Sequence, residues 1–255
     1  MSQPTIVLIP GAWHGPQHFT TLINSLKDLK FDVITQALPS LNPQKPHEQS
    51  VANDAKFIRQ ELLLPVLGEG KNVILLMHSY GGIPGADAAK GLSKTERQSS
   101  GEKGGIVELI FICAFLTGEG ESLSSKIPEG QGDSWAVPIK DTALLTVNGP
   151  KAIFYNDVDD ETAEWAVSLL LPQAASSLDT PSGPPAWQDS AYDCRRTYIQ
   201  TTMDKAFPFV GQDAMVKYSG VEWDVVKLES GHSPFLNHSK ELVDVVSAKV
   251  KAHAS

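Results

Sequence analysis

Thr5-Ile-Val-Leu-Ile9 is an unbroken apolar run that stops at Pro10-Gly11, the pattern of a buried strand ending in a loop. Phe19, Leu22, Ile23, Leu26 and Leu29 then recur at helical spacing. Asp32 to Gln36 reads as a second strand and Pro39 to Pro46 as a loop. Ser50 to Leu67 predicts a helix, with Val51, Ala55, Ile58 and Leu62 on one face and Gly68 past its end. Val73 to Met77 is a third strand, and Ile83 to Leu92 a helix with Pro84 in its first turn. Ser93 to Gly105 is polar, shows no apolar period and predicts an exposed loop. Ile106 to Ala114 is apolar enough for a central strand.

From Thr117 to Ser190 the alternation breaks. The stretch is rich in Gly, Pro and Ser and predicts one helix, Asp160 to Leu171. Arg196 to Thr201 and Trp223 to Leu228 restore the strand pattern, and Leu242 to Val250 is a final helix. Strands alternating with helices imply a mostly parallel six-stranded sheet flanked by helices. Residues 1–116 and 191–255 form this core. Residues 117–190 are expected to be a lid over the carboxyl ends of the strands, where open α/β sheets bind ligands.

Composition narrows the function classes. The net charge of −9 over 255 residues argues against nucleic acid and against an anionic membrane surface. With 41% apolar and 20% charged residues the chain can build a large core. Two cysteines, Cys113 and Cys194, give no metal-binding spacing, and Cys113 in a central strand reads as core. Neither a signal peptide nor a membrane-spanning run is visible, so the expected location is cytoplasmic. The expected partner is a small-molecule substrate, no metal or organic cofactor is implied, and a homodimer stays open.

Chemistry concentrates at Val73-Ile-Leu-Leu-Met77-His78-Ser79-Tyr80-Gly81-Gly82. A strand running into Ser, two glycines and a helix nearly matches the G-x-S-x-G nucleophile elbow, with Met77 where the first glycine usually stands. A serine nucleophile needs a base. Of seven histidines, His232 lies in the loop after the last predicted strand. His78 is a poor base, because neighbours on a strand point to opposite faces. His47, His238 and His253 read as surface residues, and His14 and His18 as neighbours of the pocket. The imidazole needs an orienting acid, and Asp204 directly follows the strand ending at Met203, ahead of the rivals Asp213 and Asp224. The oxyanion donors expected from position are the N–H groups of Ala12 and Tyr80. Trp13, His14, Trp135, Phe154 and Trp165 are candidate pocket residues.

These motifs resemble the α/β-hydrolase superfamily over nearly the whole chain, and within it the small lidded methyl esterase and hydroxynitrile lyase group with its fungal relatives. Ile9-Pro-Gly-Ala-Trp-His-Gly15 resembles the H-G-A-x-H-G oxyanion loop, with Pro10 replacing its first His. His78-Ser-Tyr-Gly-Gly82 resembles H-S-x-G-G, Asp204-Lys-Ala-Phe-Pro208 the acid turn, and Gly231-His-Ser-Pro-Phe235 the histidine loop. Phe154-Tyr-Asn-Asp157 and the acidic helix after it resemble the lid of many members. The resemblance implies a serine hydrolase acting on a carboxylic ester, lactone or thioester. The lyases of the group carry a Lys after the histidine and a Thr in the oxyanion loop, where this chain has Ser233 and Gly11. A lyase, isomerase or carbon–carbon hydrolase of natural-product metabolism, or a receptor-like protein, remains an alternative on one scaffold.

Overall fold

In the computed structural model, which describes residues 3–127 and 135–253, nine strands form two sheets. They are β1 (Thr5–Ile9), β2 (Val33–Ile34), β3 (Asn72–His78), β4 (Gly105–Ile112), β5 (Ala136–Pro138), β6 (Leu144–Val147), β7 (Gln173–Ala174), β8 (Arg196–Thr201) and β9 (Asp224–Leu228). The main sheet has the order β2-β1-β3-β4-β8-β9, and every pairing in it is parallel. Chain direction across the sheet reverses at β1 and β3, so the loops leaving these two strands face each other over a crevice.

Alternation along the strands sorts the core into two layers. Val7, Ile9, Val73, Leu75 and Met77 face one side, under the helix segments Val51–Phe57 and Gly82–Ala88. Ile6, Leu8, Ile74 and Leu76 face the other, against helices Thr20–Asp28 and Ser239–Ala252. Leu22, Leu26, Leu242, Val246 and Val250 are the helical side of that second layer. Both faces are therefore closed by apolar helix stripes, which suits an all-parallel sheet.

The helix expected from Ser50 to Leu67 exists but is not uniform. It is α-helical over Val51–Phe57, widens to a π-helix over Ile58–Leu63 and returns to α at Leu64–Gly68. Pro65 lies just beyond the widened turns; it has no N–H to donate, and its ring displaces the preceding carbonyl. The stretch from Ser93 to Gly105, expected as an exposed loop, instead holds a helix at Lys94–Ser99. A capping box starts it: Ser93 Oγ accepts from the Glu96 N–H while the Glu96 carboxylate accepts from the Ser93 N–H. Arg97 is buried, donating to the carbonyls of Leu67, Lys103 and Gly104. Local capping and a buried guanidinium form this helix, and neither leaves an apolar period.

Between β4 and β8 the chain leaves the main sheet. It forms the antiparallel sheet β5-β6-β7 and, among other short elements, the helices Pro150–Phe154 and Asp160–Ser168. Residues 128–134 of the expected insertion lie outside the described residues. β7 docks on the loop after β2 through a Leu41–Gln173 bridge and an Ala174 N–H bond to the Ser40 carbonyl. Among the described residues, no helix is long and apolar enough to cross a membrane.

Candidate active site

Ser79 follows β3 directly and takes the left-handed backbone conformation, φ 52°, which a residue with a Cβ adopts only where its surroundings enforce it. Here the enforcement is close packing. A Cβ on Gly81 would stand 2.5 Å from the Pro10 carbonyl oxygen, and one on Gly11 would stand 2.8 Å from Ser79 Cβ. Glycine at both places lets the loops after β1 and β3 touch. Met77 is accommodated by Gly85, against which its side chain is fully buried.

The three residues expected to form a catalytic set are brought together. His232 Nε2 lies 3.1 Å from Ser79 Oγ, and His232 Nδ1 lies 2.8 Å from Asp204 Oδ2. Ionised Asp204 can only accept, so Nδ1 carries the proton toward it and Nε2 is left to accept from the serine hydroxyl. Four other groups donate to the same carboxylate: Thr201 Oγ1 and Gln212 Nε2 to Oδ2, and the Ala206 and Phe207 N–H groups to Oδ1. The rivals are elsewhere. Asp213 sits in the helix Phe209–Lys217 and accepts from Gln200, while Asp224 pairs with Lys249 at the surface.

Two side chains hold the His232 backbone from below. His78 Nε2 donates to the His232 carbonyl at 2.9 Å, and Cys113 Sγ approaches the same oxygen at 3.5 Å. Burial, then the neighbouring His232, keeps His78 well below the usual histidine range, so it is neutral. His78, Cys113 and His232 bring three possible metal-ligand atoms within 4.8 Å of one another. Both nitrogens of His232 are already bonded to Ser79 and Asp204, so the cluster reads as support for the imidazole.

Above Ser79 is a cavity of 720 Å³. Ala12, Trp13, Tyr80, Phe115 and Ala206 line it from the core, and Leu123, Trp135, Leu145, Phe154 and Leu178 from the segment between β4 and β8. A second cavity of 1220 Å³ shares Phe115, Ile127, Trp135 and Ala206 with it. Of the candidate pocket residues, Trp13, Trp135 and Phe154 reach the first cavity. Trp165 does not; it projects from helix Asp160–Ser168 with 42% of its surface exposed, because Ala163 and Ala166 are the inward positions of that helix.

His14 is likewise absent from the lining. It is buried, with Nδ1 donating to the Ala12 carbonyl at 2.8 Å and Nε2 3.0 Å from the Tyr155 hydroxyl. Burial, then the nearby His18 and His78, holds its pKa well below the usual range. A neutral imidazole with a proton on Nδ1 must accept at Nε2, so Tyr155 is the donor. His18, also buried, bonds the Gly15 backbone and the Ala166 carbonyl. Both histidines tie the loop after β1 to residues 117–190.

The run Phe154-Tyr-Asn-Asp157 engages the site residue by residue. The Phe154 ring stacks on His232 at 5.5 Å between centroids. Tyr155 reaches His14, and Asn156 Nδ2 donates to the carbonyl of Met203, next to Asp204. Asp157 Oδ2 accepts from the Gly231 N–H at 2.7 Å, next to His232. A Cβ on Gly231 would stand 2.4 Å from Asp157 Oδ1, so only glycine allows this approach. Sequence reasoning singled out this run but not these contacts. It missed Gln173 and Gln212 altogether. It also missed Asp54, although an acid three residues after Val51 and four before Ile58, on an apolar helical face, was a readable signal.

Residues 6–245 match the alpha/beta hydrolase family. The chain is 29% identical over 248 residues to the alpha/beta hydrolase nvfD of Aspergillus novofumigatus, covering 96% of each chain. Among solved structures it is similar to the pyrethroid hydrolase PytH, with TM-score 0.76, 19% identity and all of both chains covered. It is also similar to a methylesterase from Arabidopsis, with TM-score 0.72, 20% identity, and 97% of this chain and 99% of that one covered. At these identities the two structures speak for the fold alone.

Proposed function

Because this chain belongs to the alpha/beta hydrolase family, we propose that it is a serine hydrolase cleaving a small or medium carboxylic ester, lactone or thioester through an acyl-enzyme. The observation that carries the reading is the hydrogen-bonded run Ser79–His232–Asp204 opening on a mostly apolar cavity. A serine hydroxyl is barely ionised at neutral pH, and this arrangement supplies what it lacks. His232 Nε2 takes the proton as Ser79 Oγ attacks the carbonyl. Asp204 holds the Nδ1–H tautomer and stabilises the imidazolium. The N–H groups of Ala12 and Tyr80 receive the oxyanion. His232 then protonates the leaving alcohol, or the thiol of a thioester, and in the second half-reaction it deprotonates the water that releases the acid.

Residues 117–190 act as the lid in this reading. Their apolar side chains favour a substrate with an apolar body and a single reactive carbonyl. Intact-protein mass spectrometry after a fluorophosphonate probe tests the proposal. One adduct is expected on the wild type and none on Ser79→Ala or His232→Ala. A folded wild type that forms no adduct would overturn acyl transfer and move a lyase or receptor role ahead.

A further inference from the structure

The peptide between Ala12 and Trp13 contains no reacting atom, yet it is gripped at both ends. Its carbonyl accepts from His14 Nδ1 at 2.8 Å, and its N–H donates to Gln173 Oε1 at 3.3 Å. Trp13 has φ 63°, a left-handed conformation disfavoured for any residue with a Cβ. The Trp13 carbonyl accepts from the Leu171 N–H, and its indole Nε1 donates to the Leu145 carbonyl, each at 3.1 Å. The partners Leu145, Leu171 and Gln173 all come from the segment between β4 and β8, so this segment maintains the conformation of the loop after β1.

Gln173 also reaches the other side of the site. Its side chain is buried, and Nε2 donates to Ser40 Oγ and Ser177 Oγ, both at 2.8 Å. Ser40 Oγ donates to Asp54 Oδ2 at 2.5 Å, and the Tyr80 hydroxyl donates to the same oxygen at 2.7 Å. One connected run of hydrogen bonds therefore joins Trp13, the residue after Ala12, to Tyr80, the residue after Ser79. The amide of Gln173 can face only one way in it, because the Trp13 N–H must meet the oxygen. Gln173, Ser40 and Asp54 do not line the cavity above Ser79.

We infer that Gln173 is a positioning residue of the oxyanion hole, fixing the Ala12–Trp13 peptide and coupling it through Ser40 and Asp54 to Tyr80. The inference rests on the esterase reading of the same site. Oxyanion donors act through being aimed in advance at the place where charge develops. Loosening the Ala12–Trp13 peptide lets the Ala12 N–H on its other side swing, which weakens transition-state stabilisation and leaves ground-state binding almost untouched.

The test compares the full-length wild type with Gln173→Ala in ester hydrolysis and in inhibition by an aryl trifluoromethyl ketone. Ser79 Oγ adds to the ketone carbon, its proton passes to His232, and the hemiketal oxygen anion occupies the oxyanion hole. The expected result is a kcat lowered about ten- to a hundredfold, a KM within about threefold, and a ketone inhibition constant raised by the same factor as kcat falls. If Gln173→Ala does not fold, Tyr80→Phe cuts the other end of the run, and the same parallel loss is expected. A folded variant with unchanged kcat, or one in which KM alone rises, overturns the inference while the esterase reading stands. A wild type that neither hydrolyses esters nor binds the ketone overturns the esterase reading itself.

Discussion

The side chain of Met77 fills the space that Gly85 leaves open: a Cβ on Gly85 would stand 2.6 Å from the Met77 sulfur and 2.9 Å from its Cγ. The departure from the usual elbow is thus matched one turn into the following helix, within the core. Gly85→Ala is expected to destabilise the protein by about 1–3 kcal/mol through overpacking. In a Met77→Ala background the added methyl enters a cavity, so the combined loss should fall short of the sum by at least about 0.5 kcal/mol. Urea denaturation of the four proteins measures this. Met77→Gly should keep activity within about tenfold, roughly 1.4 kcal/mol in barrier.

Asp157 holds the His232 loop through the Gly231 N–H and the Ser230 hydroxyl, and it also accepts from Asn237 Nδ2 at 3.1 Å. Asp157→Ala strands the buried Gly231 donor, at a cost of about 1–3 kcal/mol. The melting temperature should fall, and with it kcat, because the loop that carries the imidazole loses one of its backbone anchors. Asp157→Asn keeps one acceptor and should recover most of both. A variant with normal melting and normal kcat would show that the contact is idle.

Asp54 is buried, with no salt bridge to a cation among the described residues. Burial pushes its carboxyl up from 3.8 to about 6, against the opposing hydrogen bonds from Ser40 and Tyr80. A pKa raised by folding means that the native state binds more protons than the unfolded chain, so stability falls as pH rises. The contribution is full below about 3.8 and lost as pH passes about 6. Denaturation of wild type and Asp54→Asn from pH 3 to 8 should give a stability difference that declines across that window and is flat above it. A difference independent of pH would mean that Asp54 titrates as an ordinary exposed acid.

The six core strands and the order of Ser79, Asp204 and His232 were legible because strand ends, glycines and apolar runs are written locally. Arg196–Thr201 matches the strand read from the alternation, whereas the strand end at Met203 used to place Asp204 overshoots it by two residues. What stayed illegible depends on distant partners. His14 looked like a pocket residue because it lies in the loop after the first strand, but it bonds Tyr155, 141 residues away, and is absent from the cavity lining. Trp165 looked like a pocket wall by type, while the register of its helix points it to solvent. Gln173 carries no local signal, since a buried amide is recognisable only once its acceptor and donor partners are placed. The helix at Lys94–Ser99 was hidden for another reason: its capping box is a local pattern, but the apolar stripe used to find helices is missing.

The order of strands across the main sheet also gives the chemistry a clock. Ser79 follows a central strand, whereas Asp204 and His232 follow β8 and β9 at one edge, and 153 residues separate Ser79 from His232. On the proposed mechanism a chain still emerging from the ribosome carries this serine without its base until 153 more residues have been made. The hydroxyl then turns on esters only when the far edge has docked, so reactivity toward a phosphonate would report a finished fold.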